Sequence, residues 1–242
     1  MEEKFGEFFL DKNYIKVKNS LFNYKNRKNQ IEAVFNKYYK NETHLLDIGS
    51  GISPVAPSNL LKKTLFMDLS KEGINFLKKQ GLNAEQGNIT KTHFKKNNFD
   101  WIFCSEVLEH TKDYKKAIKE LYRITKKKGK VMITVPVHKK YWHSDDEFVE
   151  HYRRFNPKIL RKDIENAGFE IMEEKPIGSI IERYLTLLIV KAFKSRKDKE
   201  INKLFAPLFV LINNILYFIV KLSLITASKK STSIMLYLCR KN

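Results

Sequence analysis

The chain has 242 residues, of which 43% are hydrophobic and 30% charged. This composition excludes a wholly disordered, collagen-like or disulfide-stapled protein, and the length suits one α/β domain with additions. Lys and Arg number 46 against 27 Asp and Glu, a formal +19 with a pI near 9.7; such a field attracts nucleic acid or an anionic membrane, although a lysine-rich proteome produces the same sum.

The polar, aromatic N-terminal stretch predicts a helix over Lys28–Tyr39. Short apolar runs then alternate with helical stretches. His44–Ile48 leads into the turn Gly49-Ser50-Gly51, and Thr64–Leu69 precedes a helix over Lys71–Gln80. Leu82–Gln86 is a weaker strand, Trp101–Cys104 precedes a lysine-rich helix over Tyr114–Lys127, and Gly129 introduces the strand Lys130–Val135. Asn156-Pro157 opens a further helix that Gly168 ends before a strand from Phe169, and Ser231–Cys239 reads as the last strand. This alternation predicts an α/β fold, a doubly wound, mostly parallel sheet wrapped on both faces, with a helical insertion before its last strand. The expected divisions are an N-terminal helical extension (1–43), a core (44–176), an apolar basic insertion (177–230) and the closing strand (231–242). Two cysteines, Cys104 and Cys239, make no disulfide framework. Glu2, Glu3 and Glu7 have no apolar stretch behind them, so a cytoplasmic protein is expected.

Where the first strand meets its crossover, two glycines at this spacing let backbone N–H groups approach a ligand closely. Three details set the ligand's chemistry. Pro54 stands where a dinucleotide fingerprint needs glycine; Asp47 precedes the turn and would repel a pyrophosphate; Asp68 ends the second strand, where a carboxylate can take both ribose hydroxyls. A nucleoside-like, cationic, phosphate-free ligand meets all three, and S-adenosylmethionine is one.

The motifs LLDIGSG (Leu45–Gly51), MDLS (Met67–Ser70), GNIT (Gly87–Thr90), FDWIFCSEVLEH (Phe99–His110), KKGKVMITVP (Lys127–Pro136) and HYRRFNPKILRKDIENAGFEI (His151–Ile171) together resemble the class I S-adenosylmethionine-dependent methyltransferases. The resemblance covers about residues 40–176, is nearest to the ubiquinone- and menaquinone-type branch that acts on small molecules and lipids, and implies a Rossmann-like, seven-stranded sheet with an antiparallel last strand. It implies that Asp47, Gly49 and Gly51 hold the methionine part of the cofactor, that Asp68 takes the ribose, and that Asn88 and Ile89 lie against the adenine. Ser105 and Glu106 would line the cofactor cleft. Ser53 replaces the usual third glycine, and the short, proline-containing connection from Gly51 to Thr64 predicts a truncated first crossover helix.

Methyl transfer from a sulfonium is an in-line displacement, and an oxygen or nitrogen acceptor needs its proton removed. His110 closes the SEVLEH run at the carboxyl edge of the sheet, and His143 and His151 belong to a loop crowded with aromatic and charged residues; these three are the candidate bases. Trp142, Tyr152, Arg153 and Arg154 are candidate acceptor-binding residues in a lid, the alternative being a structural loop held by Arg–Asp pairs. The spacing within the loop matches no recognised ligand set, so no metal is expected.

Leu204–Val220 runs 17 residues without a charge, about 26 Å as a helix, short of a bilayer core and interrupted by Pro207, Asn213 and Asn214. Residues 178–242 carry 12 Lys and Arg against 3 acids. Together these predict a monotopic helical hairpin on the inner face of a membrane; a dimer interface or a cap over the cleft would show the same pattern. With the family resemblance, the expected function is methylation of a small or lipid-linked acceptor at oxygen. The basic helix around Tyr114 and Tyr122 keeps RNA methylation as the enzymatic alternative, and a membrane-bound scaffold without turnover as the non-enzymatic one.

Overall fold

Seven strands form one sheet in the order β3-β2-β1-β4-β5-β7-β6. The structure is a computed structural model and describes residues 18, 20–194 and 206–242. Strands β1 (Leu45–Ile48), β2 (Thr64–Asp68), β3 (Asn83–Gln86), β4 (Phe99–Ser105) and β5 (Thr125–Pro136) pair in parallel. The last strand, β7 (Ile234–Lys241), slots between β5 and β6 (Phe169–Pro176) and runs antiparallel to both. The predicted fold class therefore holds, including the antiparallel last strand.

Strand residues alternate between two cores, as a period of two requires. Ile102, Cys104, Val131, Ile133, Tyr237 and Cys239 face one side, where Ile118 and Leu121 of α3 (Tyr114–Ile124) and Leu160 and Ile164 of α5 (Pro157–Asn166) cover them. Trp101, Phe103, Met132, Leu236 and Leu238 face the other, under α1 (Phe22–Tyr38) and α2 (Lys71–Lys79). Phe35 of α1 meets Trp101 edge-on at 4.7 Å between centroids, which fixes the C-terminal half of that helix on the sheet. The helices start where capping chemistry allows: Ser70 Oγ accepts from Gly73 N at 3.1 Å, and Asn156 Oδ1 accepts from Lys158 N at 3.0 Å with Pro157 at the first position.

Several boundaries differ from expectation. The first helix begins at Phe22, not Lys28, because its N-terminal half finds tertiary partners. Helix α3 stops at Ile124 rather than Lys127: Thr125 pairs with Phe99 and its hydroxyl donates to Leu121 O at 2.6 Å, while Lys126 and Lys130 reach Asp100 and Glu42. Lys128 sits at φ 62° before the strand resumes at Lys130. Propensity reads the lysine run as helix, and tertiary pairing overrides it. The first crossover holds only a six-residue 3-10 helix, Ser58–Lys63, as the short connection predicts.

The insertion forms α6 (Ile180–Lys194) and α7 (Ala206–Ser223). Asn213 and Asn214 do not interrupt α7. They face α1, where Asn213 Oδ1 accepts from Phe22 N at 3.2 Å and Asn214 Oδ1 from Lys25 Nζ at 3.0 Å, and Tyr217 hydroxyl accepts from Asn29 Nδ2 at 2.7 Å. Arg196, Lys197, Lys199 and Lys203, part of the predicted basic flank, lie outside the described residues.

Candidate active site

The glycine turn closes because both glycines adopt a left-handed backbone, Gly49 at φ 73° and Gly51 at φ 52°. A Cβ on Gly49 would stand 2.3 Å from Val107 Cγ2, so no side chain fits there. Gly49 N–H donates to Met67 O at 2.6 Å, pinning the turn to the end of β2. The hydroxyl of Ser50 within the turn is buried without a hydrogen-bond partner.

Asp47 is 1% exposed, and its Oδ2 accepts from Val55 N at 2.8 Å and Ala56 N at 3.0 Å. The carboxylate expected on the methionine part of the cofactor thus holds the helix-poor crossover against the sheet, and burial lifts its pKa to about 7. Asp68 ends β2 with Oδ2 accepting from Gly51 N at 2.7 Å and Oδ1 from Ser70 N at 2.8 Å. A carboxylate accepts about four hydrogen bonds, so capacity for ribose hydroxyls remains.

Beyond β3, the Asn88 carboxamide oxygen accepts from Thr90 N and Oγ1, both at 2.8 Å, while Ile89 is buried. Ser105 Oγ bonds Thr134 Oγ1 at 2.8 Å. Glu106 occupies a left-handed backbone at φ 56°, accepts from Thr134 Oγ1 at 3.2 Å, and pairs with Arg27 at 3.3 Å. Arg27 belongs to α1, outside the span of the family resemblance. From the same segment, Tyr24 hydroxyl donates to Ser53 O, and Lys18 lies near enough to Asp68 and Arg27 to feel both charges. Burial, aided by Arg27, lowers Lys18 to about 8. Lys18, Tyr24 and Arg27 therefore stand over the glycine turn and Glu106, which the sequence does not signal.

The second cluster gathers past β4. The 3-10 turn Leu108–His110 places the Glu109 side chain in the interior at 0% exposure, with neither carboxylate oxygen hydrogen-bonded. Burial and the neighbouring charge of Glu106 hold its pKa well above the ordinary range. Tyr152 N–H donates to Glu109 O at 2.9 Å, which brings His151 over the turn. The His110 and His151 rings meet edge-to-face at 4.5 Å. His151 Nδ1 bonds Asp146 Oδ1 at 2.7 Å. Although burial opposes it, bonds from His151 and Arg154 keep Asp146 down at about 2. Burial and the adjacent His151 drive His110 to about 3, so its imidazole is neutral.

Both predicted acceptor-binding arginines also make bonds within the protein. Arg154 binds Asp146, Nε to Oδ2 and Nη2 to Oδ1, both at 2.9 Å. Arg153 caps the carbonyls of Thr111 and Lys112 at 2.9 Å and lies over the Tyr114 ring. The loop is held by Arg–Asp pairs, and both arginines also line a groove of about 540 Å3 with His138, Lys140 and Ile159. Arg183 from α6 completes the network, donating to Asp146 Oδ2 at 3.1 Å, to Tyr141 O and to Asp145. Trp142 Nε1 donates to Glu147 at 3.3 Å, and Tyr152 is exposed. His143 opens α4 (Ser144–Phe148), exposed, apart from the group formed by Glu109, His110 and His151. Sequence reasoning missed Arg27, Glu109, Asp146, Glu182 and Arg183. Only Glu109, three residues after Glu106 in one short motif, left a local signal.

Residues 46–133 match the family described as "Methyltransferase domain". An uncharacterised protein of Methanocaldococcus jannaschii, MJ0638, is 32% identical over 186 residues, 73% of this chain and 79% of that one. The Bacillus subtilis methyltransferase YcgJ, itself uncharacterised, is 29% identical over 134 residues, about half of each chain. Among solved structures, a Thermotoga maritima protein titled an S-adenosylmethionine-dependent methyltransferase, possibly a histamine N-methyltransferase, superposes over the full length of both chains with TM-score 0.64 and 16% identity. Phosphoethanolamine N-methyltransferase 2 of Haemonchus contortus, solved with S-adenosylmethionine, matches 88% of this chain and 52% of its own with TM-score 0.59 and 20% identity. The residues present fit that cofactor: a turn whose cradle a Cβ would fill, an unpartnered Ser50 hydroxyl within it, and the Asp68 carboxylate beside it with accepting capacity left. Residues 46–133 are thus a methyltransferase domain, and the fold around them is the one shared by solved S-adenosylmethionine-dependent methyltransferases.

Proposed function

We propose that this methyltransferase works at a membrane surface and methylates an oxygen of a small or lipid-linked acceptor, as its likeness to the ubiquinone- and menaquinone-type branch suggests. The observation that carries the reading is the outer face of α7. Leu208, Leu211, Ile215, Phe218 and Leu222 follow one another at helical spacing and are each more than half exposed. The opposite face is docked on α1 through Asn213, Tyr217 and the buried Val220. Pro207–Thr226 is long and apolar enough to cross a bilayer, with mean hydropathy 2.1, but its anchored polar face favours lying flat in one leaflet. On α6, Ile181, Tyr184 and Leu188 extend the apolar surface. A groove of about 280 Å3 between Tyr184, Leu187 and Arg183 leads from it toward the Asp145–Asp146 network and offers an amphiphile a route inward.

When bound, S-adenosylmethionine supplies an electrophilic methyl on a sulfonium. Gly49, Gly51 and Asp68 orient it, and α1 with Tyr24 and Arg27 excludes water from the cleft. Oxygen must shed a proton, and His151, whose ring is oriented by Asp146, stands beside Glu109 at the sheet's carboxyl edge to act on it. RNA is disfavoured because the aromatic platform is engaged: Tyr114 hydroxyl donates to Asp163 at 2.7 Å, and Tyr122 packs edge-on against Phe169. Flotation on anionic phosphatidylglycerol liposomes at low salt tests the reading. The wild type is expected to rise with the lipid, and a Leu211→Glu/Phe218→Glu variant that still binds S-adenosylmethionine to stay below. A wild type that ignores the liposomes, or that dimerises through this face instead, overturns it.

A further inference from the structure

Three groups past the end of β4 stand outside the glycine turn and converge on one point. Glu109, His110 and His151 each offer a ligand atom, and these atoms lie within 4.8 Å of one another. His151 Nε2 is 3.9 Å from Glu109 Oε1; two ligands each about 2.0–2.2 Å from one ion sit about 3–4 Å apart. We propose that Glu109, His110 and His151 form a divalent metal site, filled by a transition-metal dication of the Zn2+ or Mn2+ class.

Four observations carry it. First, Glu109 is fully buried and both of its carboxylate oxygens lack a hydrogen-bond partner. An unpaired buried carboxylate is costly, and a cation between it and the two rings would satisfy it. Second, His151 uses its Nδ1 on Asp146, which leaves Nε2 on the side of Glu109. A carboxylate behind a ligating imidazole is the usual outer shell of such sites. Third, the His110 and His151 rings lie 4.5 Å apart between centroids, and each offers a ring nitrogen to the group that contains the Glu109 carboxylate. Fourth, the donor set is two imidazoles and one carboxylate. Nitrogen donors suit Zn2+, Mn2+, Fe2+ or Co2+, whereas Mg2+ and Ca2+ take mainly oxygen. The expectation of no metal came from spacing inside one loop. The ligands come instead from two loops, Glu109 and His110 from the first and His151 from the second, joined by the Tyr152–Glu109 backbone bond.

The site's existence is independent of the acceptor. Its use rests on the proposed reading: a metal there would bind the acceptor's hydroxyl and lower its pKa, and the proton would leave to solvent as the oxygen takes the methyl group. In that case His151 acts as a ligand rather than as the proton acceptor.

The purified full chain, stripped with chelator, is titrated with Zn2+ and separately with Mn2+ by calorimetry. S-adenosylmethionine affinity is measured on the same samples. One ion per chain is expected. His110→Asn and His151→Asn should each weaken metal binding at least tenfold while folding by circular dichroism and cofactor affinity stay as in the wild type; His143→Asn, in the same loop but outside the cluster, should leave metal affinity unchanged. The proposal is overturned if the folded wild type binds neither ion stoichiometrically, or if the two cluster variants bind metal as the wild type does. It also falls if His143→Asn weakens binding as much as they do. Metal binding with no transfer to any hydroxyl acceptor would retain the site and reject the acceptor reading.

Discussion

The two halves of the cleft are built by different means. The cofactor half is almost all backbone: a turn with two left-handed glycines, Asp47 and Asp68 each binding main-chain N–H groups, and a helix start at Ser70, all within residues 47–73. The half that the proposed function gives to the acceptor is almost all side chain, assembled from α1, the β4 loop, the loop before α5, and α6. Arg27, Glu106, Glu109, Asp146, His151, Arg154 and Arg183 come together across more than 150 positions. Backbone machinery binds one ligand for a whole family, whereas side-chain machinery is free to change with the acceptor.

Substitutions can break each half separately. The largest effect is expected from Asp146→Ala, which strands Arg154, Arg183 and His151 in the interior. Loss of one partner of a buried charge network costs about 3–5 kcal/mol, and a chemical-denaturation midpoint should fall accordingly while any residual folded protein keeps cofactor affinity. Next is Gly49→Ala. The left-handed backbone and the overlap with Val107 together cost about 3 kcal/mol, and cofactor binding should be lost in calorimetry. Asp68→Ala should leave the melting temperature nearly unchanged and weaken S-adenosylmethionine by about 1.5–3 kcal/mol, the value of hydrogen bonds to a charged acceptor; an unaltered dissociation constant would remove Asp68 from the site.

The smallest effect concerns pH. Glu182 on α6 is buried, with Oε2 on Asn26 and Oε1 unpartnered, and burial raises its pKa to about 8 from 4.5. Below pH 4.5 it is protonated folded or unfolded, and its contribution is fully present. As pH rises toward 8 the unfolded chain ionises and the folded one resists, so stability is lost. Glu182→Gln should remove that slope, amounting to about 2 kcal/mol between pH 6.5 and 8. A variant whose stability falls with pH as steeply as the wild type's would show Glu182 to be ionised in the fold.

The same division decides what could be read in advance. The doubly wound fold class and the glycine turn are legible because alternation, turn glycines and the two aspartates are local patterns; the truncated crossover follows from the short link between Gly51 and Thr64. The side-chain half is not, because its pairings are long-range. Arg153 and Arg154 look available to a substrate as a dipeptide, yet one caps carbonyls and the other is tied to Asp146. Asn213 and Asn214 look like interruptions of an apolar helix until Phe22 and Lys25 are placed opposite them, about 190 positions away. Lys126–Lys128 look helical until Thr125 pairs with Phe99.

The most direct measurement supplies the purified protein with methyl-labelled S-adenosylmethionine and whole-cell extract, then partitions the products between organic solvent and water. The account predicts label in the organic phase, on a lipid or lipid-linked acceptor, that disappears when α7 carries Leu211→Glu/Phe218→Glu. Label confined to ribonuclease-sensitive material in the aqueous phase would contradict it and turn attention to the lysines of α3.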